Sequence, residues 1–418
     1  MAIFIMRGKA HDAGVLNVAI PDIYDELTLE RIRFQSGCRV IPERHSDAEI
    51  RQMVRQHSRK DSESILQGAG PQGGRENTWE SEPIINLVDA LIDTAIRRNA
   101  TDIHMEPSDK GFRIRFRVDG MLTEYRTLPA WVAEPVLIRL KLLAKDDITE
   151  RRLPHDGSFT FEGADGNINI RLSTLPVQNG EQPFEKCVLR LLQTTDDGMT
   201  LDKLDFRPEI LTELRRTFEA PQGIFLVTGP TGSGKTTTLY AGLREIIARH
   251  INVTTIEDPV EYRLDGANQV QVNDKCGFTF ATALRSILRQ DPDVILVGEI
   301  RDSETAQIAL RAAQTGHLVL ATLHANSARA AASRLADLGL PASLLQESLL
   351  GVVAQRLLRK LAPNAKGTAQ TAYRGRTAVI EFLKPDGSYV GGTLQEDAER
   401  LVQQGITDRA EVTRVLGR

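Results

Sequence analysis

A repetition between residues 205 and 360 constrains the fold more than any other feature of this chain. Short apolar runs such as IFLVT, VILVGEI and LVLATL alternate there with helical patterns. These runs predict strands buried on both faces, and the segments between them predict helices that cover a mainly parallel sheet. Ligands bind at the carboxyl ends of the strands in such sheets. The sequence therefore predicts an α/β domain whose polar motifs share one edge.

The segment GPTGSGKT follows the first of these apolar runs and precedes a helical pattern. Backbone N–H groups of such a loop, together with the start of the helix, bind phosphate oxygens. This context disfavours the alternative of a glycine-rich turn without a ligand and predicts a P-loop NTPase domain that binds a nucleotide and Mg²⁺. We expect Lys235 to reach the β and γ phosphates and the Thr236 hydroxyl to bind Mg²⁺. The predicted nucleotide-binding residues are Gly229, Pro230, Thr231, Gly232, Ser233, Gly234, Lys235 and Thr236.

Two acidic motifs follow other strands of the same pattern. The run DVILVGEIRD places Glu299 at a strand end, where a carboxylate can orient the attacking water. The motif TIEDPVEY places Glu257 and Asp258 at the end of another strand, where they could tune the metal or the water. Such a cluster is also common in ordinary turns, so its expected position beside the phosphate loop favours the functional interpretation.

Histidines and arginines complete the set of candidates. His324 follows the strand in LVLATLHAN and could sense the γ phosphate, whereas His317 precedes that strand and is as readily a packed residue. Arg285 and Arg289 are four residues apart and share one helix face. A surface pair of this kind is often only solubilising, but these two directly precede the strand that carries Glu299.

The region before the motor pattern has a different organisation. Residues 46 to 49 predict an N-cap, with Ser46 and Glu49 in a capping box. In GFRIRFRVDG, apolar residues alternate with arginines, which predicts a half-buried strand with an arginine face. Arg171 and Arg190 lie near the ends of later strands and could reach a phosphate when two domains close. The predicted segments are a truncated helical domain (1–57), a flexible linker (58–81), a mixed α/β domain (82–203), the ATPase core (204–362) and a small C-terminal subdomain (363–418).

Composition narrows the class of protein. The 418 residues carry a formal net charge of −4, so general binding to nucleic acid is not expected. No apolar stretch approaches the roughly 20 residues of a membrane span, so we expect a cytoplasmic protein. Cys38, Cys187 and Cys276 fit no C-x-x-C spacing and are predicted to be free thiols.

Four motifs, taken together and in order, resemble the secretion ATPases of type II secretion and type IV pilus assembly. GPTGSGKTTTLY, TIEDPVEY, LRQDPDVILVGEIRD and TGHLVLATLHAN are similar to the Walker A, aspartate, Walker B and histidine boxes of that family. The similarity extends outward through ATDIHMEP and ITERRLPHDG before the loop, and through AQRLLRKL and ERLVQQGITDRAEV after it. It covers roughly residues 20 to 416.

The resemblance implies a homo-oligomer, expected to be a hexameric ring, that docks on a platform protein at the cytoplasmic face of the inner membrane. It also implies a PAS-like fold for the smaller α/β domain, and ATP bound between that domain and the core. Rotation between the two domains is expected to push pilin-like subunits into a fibre. The implied roles are water activation by Glu299, metal support by Glu257 and Thr236, and phosphate contacts by Arg171, Arg190, Arg285 and Arg289.

Departures from the family pattern leave alternatives open. The stretch RKLAPNAKGTAQTAYRGR has no cysteine, so the zinc loop of assembly motors is not predicted. The N-terminal domain is shorter than expected for the family. A pilus retraction motor and a DNA-transfer translocase remain alternatives, as does a scaffold that does not hydrolyse ATP. The linker and the N-terminal segment favour an assembly motor.

Overall fold

The computed structural model describes residues 4–6, 15–21, 29–30, 32–33, 39–46, 49–50, 81–163, 166–179, 182–192, 198–362 and 373–417. The chain forms two compact units, Met1–Leu191 and Leu192–Arg418. The predicted linker lies almost wholly outside the described residues. The predicted boundaries at 203/204 and 362/363 stay predictions, as does the absence of a zinc loop.

The N-terminal segment contains a small sheet. Strand β1 (Phe4–Met6) pairs antiparallel with β2 (Val15–Ile20), which pairs parallel with β3 (Arg39–Arg44). The prediction of a helical domain over residues 1–57 is therefore wrong for these strands, because the β-branched residues of VLNVAI favour extended backbone over a helix.

The capping box predicted within the same segment is confirmed. The Ser46 amide donates to Glu49 Oε2 at 2.8 Å, and the Glu49 amide donates to Ser46 Oγ at 3.3 Å. Each residue's side chain therefore accepts a hydrogen bond from the backbone amide of the other.

The larger part of the first unit is a six-stranded sheet of order β6-β5-β4-β9-β8-β7. Its strands are β4 (Ala100–Ser108), β5 (Gly111–Val118), β6 (Met121–Leu128), β7 (His155–Gly163), β8 (Gly166–Asn179) and β9 (Gln182–Leu192). Helices α1 (Glu82–Arg97) and α2 (Ala133–Leu143) pack on the face that carries Phe112, Ile114 and Phe116. The predicted mixed α/β domain is confirmed, while its PAS-like classification stays a prediction.

The arginine face of β5 carries buried acids as well as arginines. Glu106 of β4 is only 5% exposed and accepts hydrogen bonds from Arg115 at 2.7 Å and Arg113 at 3.2 Å, and Lys186 lies 2.9 Å away. Burial alone would raise the pKa of Glu106, but hydrogen bonds from Arg115 and Lys186 outweigh it and hold the pKa at about 2. The positive charges of Arg113, Arg115 and Lys186 are therefore paired with a carboxylate of the same sheet.

The second unit is built on an eight-stranded sheet of order β12-β11-β13-β14-β10-β15-β16-β17. Every pairing from β12 to β15 is parallel, and β16 and β17 add antiparallel strands at one edge. The predicted mainly parallel sheet is confirmed. The strands are β10 (Gly223–Thr228), β11 (Val253–Glu257), β12 (Ala267–Gln271), β13 (Val294–Val297), β14 (Leu318–Leu323), β15 (Leu349–Leu361), β16 (Tyr373–Leu383) and β17 (Tyr389–Val390).

Helices cover both faces of this sheet. Ile224 and Leu226 of β10 belong to one apolar cluster, and Phe225 and Val227 belong to the other, as expected for a strand buried on both sides. The helices Pro208–Phe218 and Lys235–Ile247 pack on the face that carries Phe225 and Val227. The helices are α3 (Pro208–Phe218), α4 (Lys235–Ile247), α5 (Phe280–Ile287), α6 (Ser303–Gln314), α7 (Ala328–Asp337), α8 (Ala342–Ser348), α9 (Leu394–Gln403) and α10 (Arg409–Leu416).

A buried ion cluster ties α10 to β15. Glu411 is 1% exposed and accepts hydrogen bonds from the Arg359 amide at 3.0 Å, the Arg359 guanidinium at 2.7 Å and Arg414 Nε at 2.7 Å. Burial alone would raise the pKa of Glu411, but the hydrogen bonds from Arg414 and Arg359 hold it at about 2.

The Glu411 cluster predicts a pH-dependent contribution to stability. Because the folded-state pKa lies below the unfolded value, the contribution is present above about pH 4.5 and is lost as the pH falls toward 2. We expect Glu411→Gln to lower the free energy of unfolding at pH 7 by about 3 kcal/mol, and the difference from the parent to narrow below about pH 4.5. Urea unfolding across pH 3 to 8 measures this. Glu347→Gln, at an exposed position of α8, is the control; an equal loss at every pH would contradict the account.

Within the described part of the chain, none of the helices has the length and apolar character needed to cross a membrane. Of the three cysteines, Cys187 is a buried free thiol and Cys276 an exposed one, as predicted. Cys38 lies outside the described residues.

Candidate nucleotide site

The polar motifs of the second unit meet at one edge of its sheet. Strands β11, β13, β14 and β10 are parallel neighbours, so the segments that follow them lie side by side. These segments are the acidic loop (residues 258–266), the turn that carries Glu299, the histidine loop (residues 324–327) and the phosphate loop (residues 229–234). The expectation that these motifs share the carboxyl edge is confirmed.

The phosphate loop has a backbone that requires glycine at several points. Gly229, Gly232 and Gly234 have φ values of 150°, 77° and 88°. A β-carbon on Gly229 would lie 2.5 Å from the Gln355 carbonyl oxygen, and one on Gly234 would lie 2.7 Å from Gln355 Nε2. Glycine is therefore needed here both for positive φ and for the close approach of strand β15.

Lys235 is the first residue of α4 and folds back over the phosphate loop. Its Nζ donates to the carbonyl oxygens of Gly229 at 2.8 Å and Pro230 at 3.1 Å. Burial lowers the pKa of Lys235, the negative charges of Glu299 and Glu261 raise it, and Arg356 lowers it further. The ammonium group is thus held at the mouth of the loop, within electrostatic reach of two carboxylates.

Glu299 follows β13 and is held from two sides. Its carboxylate forms an ion pair with Arg301 and lies 3.5 Å from His324 Nε2, and its side chain is 17% exposed. Arg301 also lies 3.5 Å from Asp258 of the acidic loop. Glu299 and His324 are therefore brought together as the sequence predicts, and Arg301 is a neighbour that sequence reasoning missed, although it stands in the same IRD motif.

Glu257 has partners other than those predicted. Its carboxylate accepts hydrogen bonds from the hydroxyl of Tyr240, from Thr255 Oγ1 at 2.5 Å and from Gln269 Nε2 at 3.3 Å. Burial raises the pKa of Glu257, and these hydrogen bonds oppose the increase. Both oxygens accept hydrogen bonds from neighbouring protein groups, which hold the carboxylate in place, and the predicted support of a metal by Glu257 stays a prediction.

Glu261 is the acid that contacts Thr236. Thr236 Oγ1 donates to Glu261 Oε1 at 3.2 Å at the start of α4. Sequence reasoning chose the first glutamate of TIEDPVEY, and the second was visible as the residue four positions later. Hydroxyl and carboxylate oxygens are ligands that Mg²⁺ prefers, so Thr236 and Glu261 fit the ion that the nucleotide requires.

The other predicted cations have local partners. Arg285 pairs with Glu304, and Arg289 donates to the Arg285 carbonyl at 2.8 Å; among the described residues neither bonds to the phosphate loop. In the first unit, Arg190 Nε donates to Asp102 at 3.1 Å, and Arg171 of β8 stands opposite Ser158. The phosphate-contacting roles of all four arginines stay predictions.

His317 has a packing role. Its Nδ1 lies 3.0 Å from the Ala312 carbonyl oxygen in the last turn of α6, away from the edge that carries the motifs. This contact favours the packed alternative that the sequence left open for His317, at the end of β14 opposite His324.

Strand β15 supports two of the loops. Gln355 is 2% exposed, and its Oε1 accepts from Thr238 of α4 at 2.8 Å. Arg356 is 8% exposed and donates to the carbonyls of Gln355 at 2.9 Å and Asn326 at 2.7 Å. Sequence reasoning missed both roles, since AQRLLRKL contributed only to the family resemblance.

Comparisons with known proteins agree with this geometry. Residues 77–416 match the family model T2SSE, described as type II/IV secretion system protein. The type II secretion system ATPase E of Vibrio cholerae is 38% identical over 93% of this chain and 86% of that protein. The type II secretion system protein E of Pectobacterium carotovorum is 39% identical over 98% of this chain and 94% of that protein.

Solved structures show the same fold. The crystal structure of the pilus retraction motor PilT with bound ADP has a TM-score of 0.57 and 29% identity over 78% of this chain and 96% of that chain. The ATPase DotB of Legionella pneumophila has a TM-score of 0.63 and 22% identity over 82% of this chain and 97% of that chain. On the family match and on these relatives, the chain belongs to the type II/IV secretion system protein family.

Proposed function

We propose that this protein is an ATP-hydrolysing motor that powers assembly of a pilus or pseudopilus. The observation that carries the proposal is the position of Glu299, a carboxylate that follows β13 at the same edge of the sheet as the phosphate loop and lies 3.5 Å from His324. A lysine on a glycine-rich loop binds phosphate, and a carboxylate beside it can orient water for in-line attack. The family match and the secretion relatives support the pathway.

The residues of the site divide the chemistry among them. The amides of the phosphate loop and Lys235 bind the phosphates, while Thr236 and Glu261 would hold Mg²⁺. When bound, Mg²⁺ supplies neutralising charge to the phosphate oxygens. Glu299 orients the water, and its ion pair with Arg301 and its proximity to His324 fix its carboxylate in place. His324, exposed beside Glu299, is suited to respond to the γ phosphate.

Hydrolysis must be converted into movement for the chain to act as a motor. We infer that it works as a homo-oligomer, with a hexameric ring as the family implies, docked on a platform protein at the inner membrane. In this proposal Arg171, Arg190, Arg285 and Arg289 reach phosphates when domains or neighbouring subunits close. ATP and Mg²⁺ are the only cofactors proposed, and neither zinc nor nucleic acid takes part.

A retraction motor is the second candidate, and the likeness to PilT favours it. The residues that precede α1 favour the assembly motor. Relatives named for type II secretion align over more than nine-tenths of this chain, whereas PilT aligns over 78% of it. Excess fibres after deletion of the gene would favour retraction, and loss of fibres or of secretion would favour assembly.

The proposed function predicts that ATP turnover per subunit rises with protein concentration as the oligomer forms. Turnover is measured with magnesium present over a hundredfold range of concentration, beside sedimentation analysis of the same samples. Lys235→Ala is the control for contaminating ATPases. A chain that stays monomeric and does not bind ATP at millimolar magnesium would contradict the proposal.

A further inference from the structure

Helix α4 meets the acidic motif at two points with the same spacing. Thr236 and Tyr240 are four residues apart and lie on one face of α4, and Glu257 and Glu261 are four residues apart in TIEDPVEY. Thr236 donates to Glu261, and Tyr240 donates to Glu257. Two hydrogen bonds from hydroxyl groups to carboxylates therefore connect α4, which begins at the phosphate loop, to the acidic motif.

The two contacts differ in their access to solvent. Tyr240 is 0% exposed and Glu257 is 5% exposed, whereas the contact between Thr236 and Glu261 lies at the surface of the site. A buried carboxylate keeps its charge only when hydrogen bonds replace its water. Glu257 receives three such bonds, from Tyr240, Thr255 and Gln269.

The buried contact extends into the acidic loop. Gln269 of β12 donates from Nε2 to the Tyr240 hydroxyl at 3.1 Å and to the Tyr262 carbonyl at 3.1 Å, and its Oε1 accepts from the Leu264 amide at 2.7 Å. The ring of Tyr262 packs edge-on against that of Tyr240, with centroids 4.7 Å apart. Tyr262 directly follows Glu261, so the network holds the backbone that presents Glu261 to Thr236.

We propose that Tyr240 and Glu257 form a positioning pair, whose buried hydrogen bond fixes the acidic loop against helix α4 and thereby places Glu261 beside Thr236. In this arrangement Glu257 acts on the site through the loop. The inference rests on the proposed function for its effect on nucleotide, whereas the hydrogen bond itself is a property of the fold.

A double-mutant cycle tests the pair. Tyr240→Phe removes only the hydroxyl, and Glu257→Gln keeps the shape but removes the charge. Each is expected to weaken binding of magnesium-loaded ADP by about tenfold, since a hydrogen bond to a charged group is lost. The double variant is expected to bind no worse than the weaker single variant, because the two side chains act as one unit. Isothermal calorimetry measures the affinities.

Amide hydrogen exchange supplies a readout that does not depend on nucleotide. Both single variants are expected to exchange about tenfold faster at residues 258–266 and at the parent rate in β13 and β14. Tyr389→Phe makes the same chemical change in β17, at the opposite edge of the sheet, and is expected to behave as the parent does. Faster exchange throughout the sheet would show general destabilisation and would overturn the proposal.

The alternative role of Glu257 as a metal ligand gives a different result. In that case Glu257→Gln weakens only the magnesium-loaded form, Tyr240→Phe matches the parent, and exchange in the acidic loop is unchanged; this pattern would overturn the inference. Failure of the parent itself to bind ADP would instead overturn the proposed function. The exchange measurement would still decide whether the pair positions the loop.

Discussion

Glu299→Gln is expected to lower ATP turnover by about a hundredfold or more and to leave ATP affinity within a few fold of the parent. The substitution keeps the size of the side chain and removes the charge that we propose orients the water. It also removes the ion pair with Arg301 and the contact with His324, neither of which belongs to the phosphate loop. Steady-state hydrolysis and ATP binding are measured on the same preparation.

Two controls make the Glu299 result specific. Glu347→Gln changes an exposed glutamate of α8 and is expected to match the parent. Lys235→Ala is expected to lose binding as well as turnover, since its ammonium group is proposed to contact the phosphates. Unchanged turnover in Glu299→Gln would mean that another group activates the water or that the chain is a scaffold.

Gly229→Ala is expected to weaken nucleotide binding by at least a hundredfold. A β-carbon at this position would lie 2.5 Å from both the Gln355 carbonyl oxygen and Ser233 Oγ, at a φ of 150°. The Gln355 carbonyl belongs to the backbone of β15 and cannot move aside, so the phosphate loop has to move away from that strand. The amides of the loop would then no longer converge on a phosphate. Binding of ADP by calorimetry measures the effect, and thermal unfolding checks that the sheet persists.

Gly232→Ala is the matched control for Gly229→Ala. Gly232 also has positive φ, 77°, but a β-carbon there meets nothing within 4 Å. The expected cost is the left-handed conformation alone, about 1 kcal/mol, which corresponds to a loss of roughly fivefold in affinity if the whole cost falls on the bound state. Equal losses in the two variants would show that backbone conformation, rather than the approach of β15, governs the loop.

The sequence was sufficient for the features that have a local period or a local motif. The alternation of apolar runs and helical patterns predicts the parallel sheet, and the strand–loop–helix context predicts the phosphate loop. Glu299 and His324 meet because both follow parallel neighbouring strands, which a pattern of strand ends can anticipate. In each case the information lies within a few residues along the chain.

Contacts that depend on distant segments could not be predicted in this way. Gln355 and Arg356 support the phosphate and histidine loops because β15 pairs with β10, which no local pattern reveals. The choice between Glu257 and Glu261 depends on the direction of each side chain after β11 ends. The fully buried Tyr240 takes Glu257 as its partner, and Thr236 takes Glu261.

The first unit shows how a correct pattern can still give an incomplete picture. The alternation in GFRIRFRVDG predicts the arginine face of β5, and the structure confirms it. The acids that hold this face, Asp102 and Glu106, come from β4 and are 6% and 5% exposed. The same limit explains the strands near the N-terminus, where helix-like spacing in the surrounding residues concealed the β-branched run of β2.

Doping the parent chain with Glu299→Gln subunits tests most directly whether this protein is an oligomeric motor with linked sites. Turnover is measured at constant total protein as the fraction of variant increases. Because an inactive subunit that still binds ATP should stall its neighbours, the account predicts that activity falls more steeply than the fraction of parent chain. Activity strictly proportional to that fraction, in samples that sedimentation shows to be mixed oligomers, would contradict it.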